Sequence, residues 1–200
     1  MRFEQLTSLA NLRLAWRRIT TGRNYPYKRY FRDLYYVYET ALEDNLRGLH
    51  RRLQGSYEAS PPTRVYVPKP SGLQRPISLL KLENQIVYQA IANIVALNVT
   101  RARQPLLARN IFSSIPEAKA GSIFFLRPWQ EGYHKFQQKI EWFYRHGFRW
   151  ITYLDLAAFY DTIAHKRLLE LASPLSDDAR SREWISRWLE TWSTGDIRGT

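Results

Sequence analysis

The sequence predicts an α+β fold. Helical periodicity accounts for most of the 200 residues, while two alternating segments, Thr63 to Val67 and Arg75 to Leu79, indicate a β-hairpin. A further alternating run over residues 149–155 predicts one more strand. Because helices and strands mix without a regular strand–helix–strand repeat, the pattern favours α+β over α/β.

The first quarter of the chain predicts amphipathic helices. Leu6 to Ile19 is rich in arginine and repeats apolar residues at helical spacing. After Thr21-Gly22 interrupts the chain, a longer pattern from Phe31 to Leu53 predicts a long helix. The pair Pro61-Pro62 ends that section, which we take as a basic helical region over residues 1–56.

The rest of the chain places the hairpin before a series of helices. The turn-forming run Pro68-Lys69-Pro70-Ser71-Gly72 joins the two predicted strands. Gly147 follows Arg145 and His146, as expected of a residue that ends a helix in the left-handed conformation. We divide this part into a region over 57–148 and a region over 149–200, with helices predicted over 83–97, 129–143, 162–172 and 177–192.

Charge and aromatic content indicate contacts with nucleic acid. The formal net charge is +12, and residues 1–120 carry 19 basic and 8 acidic side chains. A basic surface with many aromatic residues favours phosphate contacts and base stacking, although a basic protein with solvated arginines gives the same composition. The chain has no cysteine, and its four histidines show no metal-ligand spacing.

Nothing in the sequence indicates a membrane protein. The longest apolar stretch, Tyr88 to Val99, is too short to span a bilayer and contains Gln89 and Asn93. The first residues lack the apolar core of a signal peptide. We therefore expect a cytoplasmic protein that has no membrane partner.

One segment places a carboxylate at the end of the predicted strand over 149–155. It reads Tyr153-Leu154-Asp155-Leu156-Ala157-Ala158-Phe159-Tyr160-Asp161-Thr162-Ile163-Ala164-His165 and resembles the first catalytic motif of reverse transcriptases of the bacterial group II intron, retron and phage-defence type. The resemblance implies that Asp155 is catalytic and binds Mg²⁺, with the main-chain carbonyl of Leu156 close to the same ion. It also implies that Tyr160 excludes the 2′-hydroxyl of an incoming nucleotide. Taken alone, the segment is equally an ordinary strand-to-helix junction.

The hairpin carries the second motif. Lys69 lies near its tip and Arg75 on the returning strand, and long cations of this kind neutralise a triphosphate. A surface hairpin that is basic only for solubility has the same pattern. The segment resembles the fingers motif of bacterial reverse transcriptases, in which Lys-Pro-x-Gly-x-x-Arg-Pro precedes a helix that starts at an acidic residue. This chain has Glu83 where the family often has Asp.

Together the two motifs make residues 30–193 similar to the fingers and the first part of the palm of a right-hand polymerase. The resemblance implies an RNA-directed DNA polymerase that uses two Mg²⁺ ions, an RNA template, a nucleic-acid primer and deoxynucleoside triphosphates. Within the family, Phe159 to His165 and the arginine-rich N-terminal helices favour the prokaryotic defence-associated branch, which implies an antiviral role. Two alternatives remain: a non-catalytic, maturase-like RNA-binding scaffold with the same fold, and a basic helical interaction protein.

The family's Tyr-x-Asp-Asp motif is missing from the sequence. Asp177-Asp178 follows Ser176 and precedes a helical pattern, so we interpret this pair as helix-capping and not as catalytic. The sequence ends near the place where the family has Gly-x-Pro-Gln-Gly. We therefore expect a polymerase portion that is inactive alone and needs carboxylates from a C-terminal part or a second chain.

Overall fold

Helices form most of the structure, a computed structural model that describes residues 2–22, 26–103, 109–156, 159, 162–172 and 178–193. A two-stranded antiparallel sheet accompanies them, so the coarse α+β prediction is confirmed. The helices are α1 (Phe3–Thr7), α2 (Leu9–Thr20), α3 (Arg32–Glu39), α4 (Leu42–Leu53), α5 (Leu82–Arg103), α6 (Trp129–Arg145), α7 (His165–Ala172) and α8 (Ala179–Ser193). The strands are β1 (Thr63–Pro68) and β2 (Gln74–Leu79), and a 3₁₀ helix covers Pro26–Phe31.

Two of the predicted helices are each divided by a hydroxyl residue. Ser8 separates α1 from α2, and its side chain caps α2 by accepting a hydrogen bond from the Asn11 N–H. Thr40 ends α3, because its hydroxyl donates to the Val37 carbonyl at 2.7 Å, and Ala41 then leaves the helical conformation. The long helix predicted from Phe31 to Leu53 is therefore α3 followed by α4.

The hydrophobic core of the described residues draws on both ends of the chain. Leu12, Leu46, Leu49, Ile86 and Trp188 come from α2, α4, α5 and α8, and none is more than 2% exposed. Burying a side chain of this size stabilises the fold by about 1.5–3 kcal/mol relative to leaving it exposed. Residues far apart in sequence therefore form one core, and the predicted division at residues 56 and 148 stays a prediction.

The N-terminus of α8 is tied to α1. Asp178 precedes α8 and accepts hydrogen bonds from the Arg180 N–H, the Ser181 hydroxyl and the Phe3 N–H at 3.0, 2.7 and 2.7 Å. The bond from the Ser181 hydroxyl, followed by those from the backbone, holds the pKa of the Asp178 carboxyl below its usual value. The helix-capping role is confirmed for Asp178, while Ser176 and Asp177 lie outside the described residues.

The strand predicted over residues 149–155 is not formed. The segment lies after α6 without regular secondary structure, and Trp150 and Leu154 are 94% and 87% exposed. Alternating apolar residues predict an extended conformation, but a strand persists only when a neighbour accepts and donates its backbone hydrogen bonds. Within the described residues, only β1 and β2 pair as strands, so this segment has no such neighbour.

None of the helices that the structure describes combines the length and apolar character needed to cross a membrane.

Gly147, which follows α6, has a φ of +94°, so its predicted left-handed conformation is confirmed.

Candidate functional site

The hairpin presents its basic residues on a well-defined ladder. Val67 is the partner of Arg75, and Pro68 is the partner of Gln74. Beyond this pair, the Lys69 N–H donates to the Leu73 carbonyl at 2.7 Å and extends the ladder into the loop. Gly72 has a φ of +80°, a conformation that favours glycine, and its N–H donates to the Lys69 carbonyl at 3.0 Å.

Lys69 and Arg75 belong to the same face of this hairpin. Side chains alternate between faces along a strand, so Lys69 shares a face with Val67, two residues earlier. Arg75 is directly opposite Val67 and therefore lies on that face too. Diagonal neighbours in such a ladder are about 7–8 Å apart. Two long cationic side chains at that distance can contact the same multiply charged anion. Neither side chain forms an ion pair with another residue that the structure describes.

The junction between the hairpin and α5 is fixed to the core by the first turn of α5. Glu83 accepts two hydrogen bonds from Arg52 of α4, at 2.5 and 2.6 Å. The buried Asn84 accepts from the Tyr57 hydroxyl at 2.5 Å and donates to the Ser60 carbonyl at 2.9 Å. These bonds hold the start of α5, which is separated from the end of β2 by two residues.

Gln85 completes this set of contacts. Its amide donates to the Leu80 carbonyl at 2.8 Å and accepts from the Tyr35 hydroxyl at 2.9 Å. Burial raises the pKa of Tyr35 to about 12, so this hydroxyl stays protonated and can donate at neutral pH. Sequence reasoning identified Glu83 but missed Asn84 and Gln85. The signal that could have identified them is the run of three consecutive polar residues at the start of an otherwise apolar helix.

Burial also raises the pKa of two tyrosines around the Arg52–Glu83 pair. Burial, followed by the negative charge of Glu83, raises the pKa of Tyr38 and of Tyr57 far above neutrality. The Tyr38 hydroxyl lies 3.4 Å from a Glu83 carboxylate oxygen. The Arg52–Glu83 pair and the tyrosine hydroxyls are thus part of one hydrogen-bonded set of residues at the start of α5.

Asp155 stands apart from these contacts. Its side chain is exposed in the segment after α6, and the following residue, Leu156, is 70% exposed. No group of three or more His, Asp or Glu side chains in the described part of the chain could hold a metal ion. Tyr160 and Asp161 lie outside the described residues. The structure therefore does not bring Asp155 and the hairpin cations into one described site.

Residues next to the predicted motif have structural contacts. His165 begins α7, and its Nε2 atom lies 3.0 Å from the Ser193 hydroxyl at the end of α8. On α6, the aromatic side chains Trp129, Tyr133 and Phe136 are each more than 40% exposed. The apolar residues Ile151 and Leu156, in the segment after α6, are also exposed.

Comparison with known proteins finds no relative: no family model, no curated protein and no solved structure matches this chain. The resemblance to reverse transcriptases therefore depends on the motifs around Lys69 and Asp155.

Proposed function

We propose that this chain contains the nucleotide-binding fingers and the first part of the palm of an RNA-directed DNA polymerase. The observation that carries the proposal is the hairpin, in which Lys69 and Arg75 share one face and lack partners among the described residues. The contacts of Glu83, Asn84 and Gln85 support it, because they fix the start of α5, to which the returning strand is joined through Leu80 and Lys81.

The two cations suit different parts of a triphosphate. The Lys69 ammonium is a compact charge on a flexible stem, and the Arg75 guanidinium is a planar fork that binds two phosphate oxygens at once. In this proposal they hold a deoxynucleoside triphosphate against the face of the hairpin. Tyr160 contacts the sugar and excludes a 2′-hydroxyl, and the template is an RNA strand paired to a nucleic-acid primer.

Magnesium belongs to the proposal through Asp155. A carboxylate and water molecules, with phosphate oxygens of the substrate, are the ligands that Mg²⁺ prefers. A site for two ions needs more ligands than the Asp155 carboxylate and the Leu156 carbonyl, and the described residues contain no group of three or more His, Asp or Glu side chains that could hold a metal ion. The residues present do not by themselves fit a two-ion centre, so the proposal requires carboxylates from another part of the protein or from a second chain.

The binding of a Mg²⁺–deoxynucleoside triphosphate complex, measured by isothermal titration calorimetry, tests the hairpin. We expect Lys69→Ala and Arg75→Ala each to raise Kd roughly tenfold or more, because a hydrogen bond to a charged group contributes about 1.5–3 kcal/mol. Lys81→Ala is the matched control, since Lys81 is an exposed cation between β2 and α5. Unchanged nucleotide binding in both hairpin variants would remove the basis of the proposal.

A non-catalytic RNA-binding scaffold is the second candidate function. It is favoured by the exposed Asp155, which belongs to no group of three or more His, Asp or Glu side chains able to hold a metal ion among the described residues. The same titration separates the two candidates. A scaffold binds RNA but not the triphosphate, whereas a polymerase binds both. The assignment to a defence-associated branch stays a prediction.

A further inference from the structure

The exposed side of α4 contains a basic depression that is separate from the hairpin. It is open to solvent, has a volume of about 480 Å³ and is lined by Asp44, Arg47, His50 and Arg51. The opposite side of α4 is occupied by the core, where Leu46 and Leu49 are fully buried. The depression is therefore a surface feature on a rigid element.

The depression contains more positive than negative side chains, whereas the charges next to it are paired. Next to it, Arg13 is paired with Glu43 at 2.6 Å. Inside it, Arg47 and Asp44 are 3.5 Å apart, at the limit of a hydrogen bond, and both are more than half exposed. Arg51 has no ion pair with any residue that the structure describes. Two arginines thus face one carboxylate.

His50 adds a further group at this site. Its Nδ1 atom lies 2.9 Å from the Thr7 carbonyl, and a carbonyl only accepts, so Nδ1 carries the hydrogen. The other ring nitrogen, Nε2, can then accept a hydrogen bond or, when protonated, donate one. The contact with Thr7 also fixes the ring, so the imidazole is oriented before any ligand binds.

The row of cations continues past the end of α4. Arg180 donates to the Gln54 carbonyl at 2.7 Å, just beyond the last residue of the helix. Arg47 and Arg51 are one helical turn apart, about 5–6 Å between their Cβ atoms. Three exposed arginines therefore lie in a row along the axis of α4. A linear polyanion needs such a row of cations, whereas a single small anion does not.

Two simpler explanations account for less of this arrangement. Cations in the last turn interact favourably with the helix dipole, but Arg47 lies one turn before the C-terminal turn that contains Arg51. An acidic membrane surface would also attract these charges. However, a helix that lies in a bilayer inserts its apolar face, and the apolar face of α4 is already buried in the core.

We infer that Arg47 and Arg51 bind consecutive phosphates of a nucleic-acid strand, with His50 lining the same depression, as a contact site apart from the hairpin. The contact reads no base, because only the phosphodiester backbone matches a row of cations. It does not depend on polymerase activity and holds whether or not Lys69 and Arg75 bind a nucleotide.

The salt dependence of binding tests this inference. Fluorescence anisotropy measures Kd for labelled single-stranded RNA and DNA of the same sequence over a series of KCl concentrations. We expect the variant Arg47→Gln/Arg51→Gln to lower the slope of log K against log salt by about 1.4, at roughly 0.7 per lost phosphate contact. RNA and DNA should respond alike, since the 2′-hydroxyl plays no part.

Two control variants separate local contact from general charge. Arg145→Gln/Arg167→Gln removes the same net charge from exposed arginines of α6 and α7 and should leave the slope unchanged. Arg47→Lys/Arg51→Lys keeps the charge and should retain most of the slope, which excludes misfolding as the cause of the loss. The α4 variant should bind the Mg²⁺–triphosphate complex like the unchanged protein, so failure here is distinct from failure of the hairpin proposal.

Three results would overturn the inference. The first is an equal slope for the α4 variant and the unchanged protein, and the second is no binding of either oligonucleotide. The third is α4-dependent binding to vesicles that contain phosphatidylserine, together with oligonucleotide binding that the α4 variant does not alter.

Discussion

At the scale of the residue, Asn93 connects helices α2 and α5 in the core. It is 3% exposed on α5, donates to the Asn11 side chain at 2.9 Å and accepts from Arg18 at 2.7 Å. Asn11 in turn donates to the Leu6 and Ala90 carbonyls. Polar groups that are buried with all their partners fix the relative position of α2 and α5, and each becomes costly when a partner is removed.

Replacing Asn93 with Ala tests this network. We expect the free energy of unfolding to fall by about 1–3 kcal/mol, because the Asn11 oxygen and the partly buried Arg18 guanidinium each lose a partner. Urea unfolding followed by circular dichroism measures the change. Gln137→Ala, an exposed substitution on α6, is the control and should leave the midpoint in place. Equal midpoints for the two variants would show that the network does not contribute to stability.

At the scale of the element, local patterns predicted what a segment forms by itself, but not what depends on a neighbour. The hairpin was predictable because the turn residues and both strands lie within a short stretch of sequence. Asp178 as a helix cap was predictable for the same reason. The strand predicted over 149–155 does not form, since alternating apolar residues cannot supply a neighbouring strand. The partners of Asn84 and Asn93 were also hidden, because they come from segments far away in the sequence.

Helix α6 contains a close contact that no periodicity revealed. A Cβ atom added to Gly132 would lie 1.6 Å from the Phe112 carbonyl oxygen, so the backbone of the preceding segment passes directly over this glycine. We expect Gly132→Ala to destabilise the packing of α6 by about 1–3 kcal/mol, even though alanine favours a helix.

Gly55→Ala is the matched control, because a Cβ atom there meets nothing within 4 Å. Thermal unfolding of the two variants measures the difference. A Tm for Gly132→Ala equal to or above that of Gly55→Ala would contradict the close approach.

At the scale of the whole molecule, stability and candidate chemistry lie in different places. The tryptophans of α8 pack on α1 and on Tyr57 in the segment after α4, with ring centroids 5.1 Å apart for Phe3 and Trp184 and 5.7 Å apart for Tyr57 and Trp188. The core therefore forms mainly from helices and includes neither the hairpin nor the segment that carries Asp155. Segments outside the core, such as these two candidate sites, need contacts with something other than the core to be ordered.

Amide hydrogen exchange followed by mass spectrometry tests this separation. We expect slow exchange in α2, α4, α5 and α8, because opening these helices exposes the buried core. The segment over 149–156 should exchange close to the rate of an unstructured peptide, since its backbone forms no ladder among the described residues. Slow exchange there in the chain alone would mean that the segment is paired as a strand. If the protection instead arises only when a second polypeptide is added, that polypeptide supplies the strand partner that Asp155 needs to join a palm.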